Sequence, residues 1–224
     1  MKLLLLHVAA RFFSSARNNF SRLTLTLGVV GVTLLGSGCV SVKQYVDPAL
    51  PKVEFADLLK YPQQQEKKPV QLVFEFRTKG AINATAADFV RPMVINTLQQ
   101  SKMFSEVRSG PQANAADKLF ITIDNIVVDK DAFSKGFTTG LTFGLAGTMV
   151  TDGYIMNASY VSPGKDEIKH SYKHAIHTTV GNADGPKGLQ AVPTEPKGEA
   201  IRRVTEGLLL NLLNDMQKNA ELNK

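Results

Sequence analysis

Val70 to Thr78 reads VQLVFEFRT, and its large apolar residues return at every second position. Val70, Leu72, Phe74 and Phe76 share one face, Gln71, Glu75 and Arg77 the other, with Val73 the exception. A segment of this period is a strand with one dry and one wet side. The chain around it must therefore supply a layer to cover the dry side. Two further stretches carry the same signal. KLFITIDNIVVD (Lys118–Asp129) alternates Leu119, Ile121 and Ile123 with Phe120, Thr122 and Asp124. The stretch from Asp152 to Gly181 reads as a hairpin, with Tyr154, Met156, Ala158 and Tyr160 on one face of its first arm and SPGKD (Ser162–Asp166) as its turn. MFSEVRSGP offers a short strand and a turn.

The cover is expected from two helices. Thr85 is placed to cap the first, with Asp88 three residues on, and Phe89, Met93, Val94, Thr97 and Leu98 follow at helical spacing. Pro92 marks a kink in that helix or a later start. The second runs from about Glu199 to Asn219, with Ile201, Val204, Leu208, Leu212 and Met216 as its apolar stripe. The order β-α-β-β-(apolar segment)-β-β-α predicts an α/β two-layer sandwich: a mostly antiparallel sheet of about five strands with two helices on one face.

Ahead of this domain the chain has a different character. Arg11, Arg17 and Arg22 precede LTLTLGVVGVTLL (Leu23–Leu35), which carries no charge and is too short to span a bilayer. Gly36, Ser37 and Gly38 then lead to Cys39, the one cysteine of the 224-residue sequence. A basic region, a short apolar run and small residues are the layout of a secretory signal. Ending as it does at a cysteine, the segment resembles the lipobox of bacterial lipoproteins. Gly36 stands where that family prefers leucine, with Leu35 one step further out. The resemblance implies lipid on the Cys39 thiol and cleavage just before it. Val40 follows the cysteine in place of the aspartate that in such lipoproteins signals retention at the inner membrane, which implies a periplasm-facing anchor in the outer membrane.

The chain thus divides into a signal peptide (1–38), a lipidated cysteine with a Pro/Gln-rich tether (39–69) and a periplasmic α/β domain (70–221). The tether expectation rests on Pro48, Pro51, Pro62, Pro69 and QQQEKK at 63–68. Within it VEFADLL is the one stretch suited to a turn of helix, with Phe55, Leu58 and Leu59 on one side, either a docking peptide or, the preferred reading, a flap packed on the domain. The domain's order of elements resembles small periplasmic lipoproteins related in shape to the TolB N-terminal domain, the PelC/CsgG group and LptE. That resemblance covers about residues 70–220, rests on pattern, and transfers no functional residue.

Composition excludes several functions. The formal charge is +6, but Lys2, Arg11, Arg17 and Arg22 lie in residues 1–38 with no acid among them, leaving the remainder at +2. A near-neutral chain is not the footprint of a nucleic-acid binder. One cysteine rules out an intrachain disulfide and a cysteine-based zinc site. Glu167, His170, His174 and His177 would share a face on a helix, but Tyr172, Ile176, Thr178, Thr179 and Val180 favour a strand. There His170 and His174 stand about 13 Å apart and His177 points the other way. PGK (163–165) and GPKG (185–188) lack phosphate-loop spacing, and Asp129 and Asp131 flank Lys130 in what reads as a solvated turn.

Gly136–Val150, GFTTGLTFGLAGTMV, is fifteen residues without a charge. As a helix it would be about 22 Å long, short of a bilayer core. It reads either as a crossover buried on the sheet or as a contact element, with Phe137, Leu141, Phe143 and Leu145 the candidates for touching a membrane or partner. The sequence therefore points to a non-catalytic accessory or assembly subunit of an envelope complex, with membrane lipid through Cys39 and an envelope protein or a second copy as partners. It implies no metal and no cofactor beyond the covalent lipid. The competing class is an oligomeric pore or secretion-channel subunit of the CsgG/PelC kind, and a metal-dependent envelope enzyme ranks last.

Overall fold

The computed structural model describes residues 41–61, 66–110, 115–129, 137 and 149–218. The strand patterns read above become β2 (Val70–Thr78), β5 (Asp117–Val127), β6 (Met149–Val161) and β7 (Ile168–Val180), and the short strand is β4 (Val107–Ser109). Two strands come in addition, β1 (Val42–Val46) and β3 (Ala81–Ile82), so the open sheet has seven strands where about five were expected. Its order is β1-β7-β6-β5-β2-β3, and β4 pairs with the same edge of β2 as β3 does. Four pairings are antiparallel, and β2 lies parallel to both β5 and β4.

Register carries the alternation across the sheet. Leu72 lies opposite Leu119, Phe74 opposite Ile121 and Phe76 opposite Ile123. Ile123 in turn faces Met156, and Met156 faces Tyr172. Because each strand alternates with period two, these matches put one apolar face on one side.

That face is covered by α2 (Ala84–Gln100) and α3 (Glu199–Lys218). The N-cap of α2 is Asn83, whose side chain accepts the Ala86 N–H at 3.0 Å, and not Thr85. Asn is the stronger cap, and Ala87, Val90, Val94 and Leu98 of the helix turn inward. Pro92 sits inside this helix without ending it. In α3 the buried set is wider than the stripe read from sequence, adding Leu209, Leu210 and Leu213. The helix touches α2, the sheet and the segment after β1, so three sides of it are dry.

Of the stretch expected to be a tether, residues 41–61 are part of this body. The compact unit begins at Ser41, not at Val70. β1 pairs with β7 from Val42↔Val180 to Val46↔Ile176, and its outer edge is closed where Gln44 O accepts the Val192 N–H at 2.7 Å. The flap is α1 (Phe55–Leu58), which buries Leu58 and packs Phe55 on the core but leaves Leu59 exposed. Pro48 and Pro51 punctuate this run without freeing it, since both stand outside β1 and α1.

Two polar latches add to this, one within the sheet and one between sheet and helix. Asp117, itself buried, accepts the Tyr160 and Ser162 hydroxyls, both at 2.7 Å. The Tyr172 hydroxyl donates to Asp215 of α3 at 2.7 Å. Among the described residues no helix is long and apolar enough to cross a membrane. Leu208 of α3 belongs to the main core and is fully buried. Leu208→Ala is expected to cost about 2–5 kcal/mol, from lost burial plus the cavity left behind; chemical denaturation of wild type and variant measures it.

Candidate functional site

β1 ends at Val46, and the next residue builds a buried polar chain. The Asp47 N–H donates to Ala175 O at 3.0 Å, continuing the ladder for one more residue. Its Oδ1 accepts the Ala49 N–H at 2.7 Å, which turns the chain toward Pro51. Its Oδ2 lies 2.8 Å from His177 Nε2, and His177 Nδ1 lies 2.9 Å from Thr151 Oγ1. Thr151 and His177 are directly opposed across the β6–β7 ladder, so the register itself brings them together. A carboxylate at Nε2 holds the proton on that nitrogen in the neutral ring, leaving Nδ1 to accept from the Thr151 hydroxyl.

A hydroxyl, an imidazole and a carboxylate in series are the parts of an activated nucleophile. Here all three residues are buried, and neither Thr151 nor His177 lines the cleft beside them. The chain works as a clamp that joins the strand where the chain enters to the central hairpin. Removing one member would leave its partner buried and unpaired.

The cleft, of about 820 Å³, lies between the segment 46–56 and α3. Leu50, Val53 and Phe55 form one wall; Arg203, Glu206 and Leu210 belong to the other. His174 also lines it, at 8% exposure, with no partner for Nδ1 among the described residues. Gly207 of α3 packs against this ring: a Cβ there would stand in van der Waals contact, 3.4 Å from His174 Nε2. At the start of α3 the Glu199 carboxylate is held at about 2, chiefly by hydrogen bonds from Arg202 and then Arg203.

Burial pushes the His174 imidazole down to about 4, helped by His177 and opposed by Asp47. Above pH 6.5 the ring is neutral folded and unfolded, and costs nothing. As pH falls from 6.5 toward 4 the unfolded chain takes up a proton that the folded one does not.

His170, His174 and His177 lie on β7 as their neighbours predict, with His177 on the face opposite His170 and His174. Among the described residues no three His, Cys, Asp or Glu side chains are grouped to hold a metal. Cys39, Leu141, Phe143 and Leu145 lie outside the described residues, as does Asp131. Phe137 is described and its ring is turned inward, 3% exposed, in a small cluster with Val128 and Ala175. Gly153 makes room for it, since a Cβ there would fall 2.7 Å from the Phe137 ring. The Lys173 ammonium sits 5.9 Å from the ring centre. Sequence reading missed Asp47 and Thr151 as partners of His177; the one local sign was the Asp47-Pro48 pair that follows VKQYV.

No protein-family model matches the sequence, and no curated protein matches it significantly. Solved structures give distant likenesses. A PelC dodecamer from Paraburkholderia phytofirmans aligns over 80% of this chain and 97% of its own, at 16% identity and a TM-score of 0.29. A DUF330 protein from Xanthomonas campestris aligns over 69% of this chain and 84% of its own, at 9% identity and a TM-score of 0.35. The rare lipoprotein B of Shewanella oneidensis aligns over 67% of this chain and 92% of its own, at 11% identity and a TM-score of 0.28. Likenesses at this level assign neither ancestry nor function.

The His174 shift predicts that this group alone removes up to about 3 kcal/mol between pH 6.5 and 4. In His174→Leu that loss should vanish, so the melting temperatures of variant and wild type should diverge in the variant's favour as pH falls. A difference that stays constant with pH would contradict it.

Proposed function

We propose that this chain is a lipid-anchored protein of the bacterial cell envelope, held at the periplasmic side of the outer membrane through Cys39. It serves there as a non-catalytic accessory or assembly subunit. One observation carries the reading: a basic, then apolar, then small-residue leader ends at the chain's single cysteine, and the folded unit starts two residues later at Ser41. A chain retained in the cytosol has no use for such a leader. Lipid on the cysteine then ties a sheet edge, not a floppy tail, to the bilayer.

The non-catalytic part is supported by the clamp. Thr151, His177 and Asp47 are the described residues that come nearest to a catalytic constellation, and all three are buried, Thr151 at 6% exposure, with the hydroxyl engaged by His177. What the geometry offers instead is a folded body with a cleft of about 820 Å³ beside α3, a feature suited to holding a partner in the envelope.

Cys39→Ser is expected to leave an unprocessed precursor that lacks the fatty-acid mass and leaves the outer-membrane fraction. Unchanged mass and unchanged fractionation would defeat the lipoprotein assignment. Affinity capture of the wild-type protein from membranes, with size measurement of what is recovered, tests the role: co-isolated envelope proteins support an accessory subunit, whereas a large ring of this chain alone would make it a channel component.

A further inference from the structure

The two ends of the sheet differ in chemistry. At one end lie the start of β1, the ends of β7, β5 and β2, and the start of β6, with β3 alongside. This rim exposes Val42, Val180, Val150, Val127 and Ile82, each between 44% and 70% accessible. They are five of the nine large apolar residues exposed among the described residues. At the opposite end the strand termini and the β6–β7 turn carry Lys68, Lys118, Lys165, Asp166, Glu167 and Lys169, all exposed. Single exposed valines are ordinary; one on nearly every strand end along one rim is a patch.

We infer that this rim is a membrane-contacting surface, seated on the lipid interface with the charged end directed away from it. The inference rests on the lipid-anchor reading and extends it from a point of attachment to an orientation. Cys39 and Val42 are three residues apart, so the chain between them reaches at most about 11 Å. A lipid on Cys39 sits in the bilayer, and Val42 pairs directly with Val180 in the sheet. The anchor therefore brings this rim to the headgroups, and no tether is long enough to present another face. Valines half out of water then gain by entering the interface. The rim carries both signs of charge, Lys43 and Lys79 with Asp129 and Asp152, so the contact is apolar and tolerant of salt.

The test uses the full chain, processed in a two-membrane bacterium, purified in detergent and placed in vesicles of phosphatidylethanolamine and phosphatidylglycerol. Val150→Cys, Val180→Cys and, at the far end, Lys165→Cys each receive an environment-sensitive fluorophore; the natural thiol is blocked by its lipid. Mass spectrometry of the same samples reports lipid on Cys39. With lipid present, bromine-bearing lipids should quench the labels at 150 and 180, at low and high salt, and leave the label at 165 bright. Lipid present with all three labels unquenched would overturn the orientation while leaving the anchor intact. Protection of 150 and 180 that grows with protein-to-lipid ratio would overturn it in favour of a second copy. Absence of lipid on Cys39 would remove the anchor and the orientation with it.

Discussion

Leu119, Ile121, Ile123, Met156 and Ile176 make a continuous apolar surface on one side of the sheet, and its exclusion of water governs the rest of the molecule. Strand patterning fixes which side it is, and only α2 and α3 among the described residues are long enough to cover it. Covering it places α3 over β7, and that in turn sets Gly207 against His174 and Asp215 against Tyr172. The side of α3 not used by the sheet or α2 is closed by the chain that follows β1. The segment that reads as linker is thus drawn into the fold by the same demand, since Leu58, Leu209 and Leu210 would otherwise meet water.

Burial of that segment brings polar groups in with it. Asp47 is taken out of water between two histidines, one of which it bonds and one of which it only influences at a distance. The bonded one, His177, is satisfied at both nitrogens. The other, His174, is kept neutral at the margin of the cleft. The pair shows how one carboxylate can hold a strand in register and tune a neighbouring ring at once.

What could be read from the sequence was what depends on local period. β2, β5, the β6–β7 hairpin and α3 announce themselves because their apolar residues recur at 2 or 3.6, and the opposite facing of His174 and His177 follows from the strand alone. β1 does not, because five residues of mixed character between a glycine-rich leader and two prolines have no period to detect; its pairing is decided by the free edge of β7. Thr85 and Asp88 mimic a capping box two residues past the true cap of α2, Asn83, which has the better geometry where β3 turns into the helix. The clamp and the cleft were invisible for a different reason. Asp47, Thr151 and His177 are separated by more than a hundred and by 26 residues, and only the sheet register brings them together. No residue in the cleft is unusual by itself.

The way β1 is attached also gives the body a direction of mechanical strength. A pull on the chain ahead of Ser41, drawn outward past the rim, acts along the axis of β1 and parallel to β7. All five residue pairs of that ladder then bear the load together in shear, instead of parting one after another as they would under a sideways tug. At the far end of the strand Asp47 acts as a detent, since it must leave both Ala175 and His177 before β1 can slide. A load drawn from the leader side therefore meets the sheet along its stiffest line, and peeling from the other end, through the segment after Asp47, is the direction in which the same strand gives way.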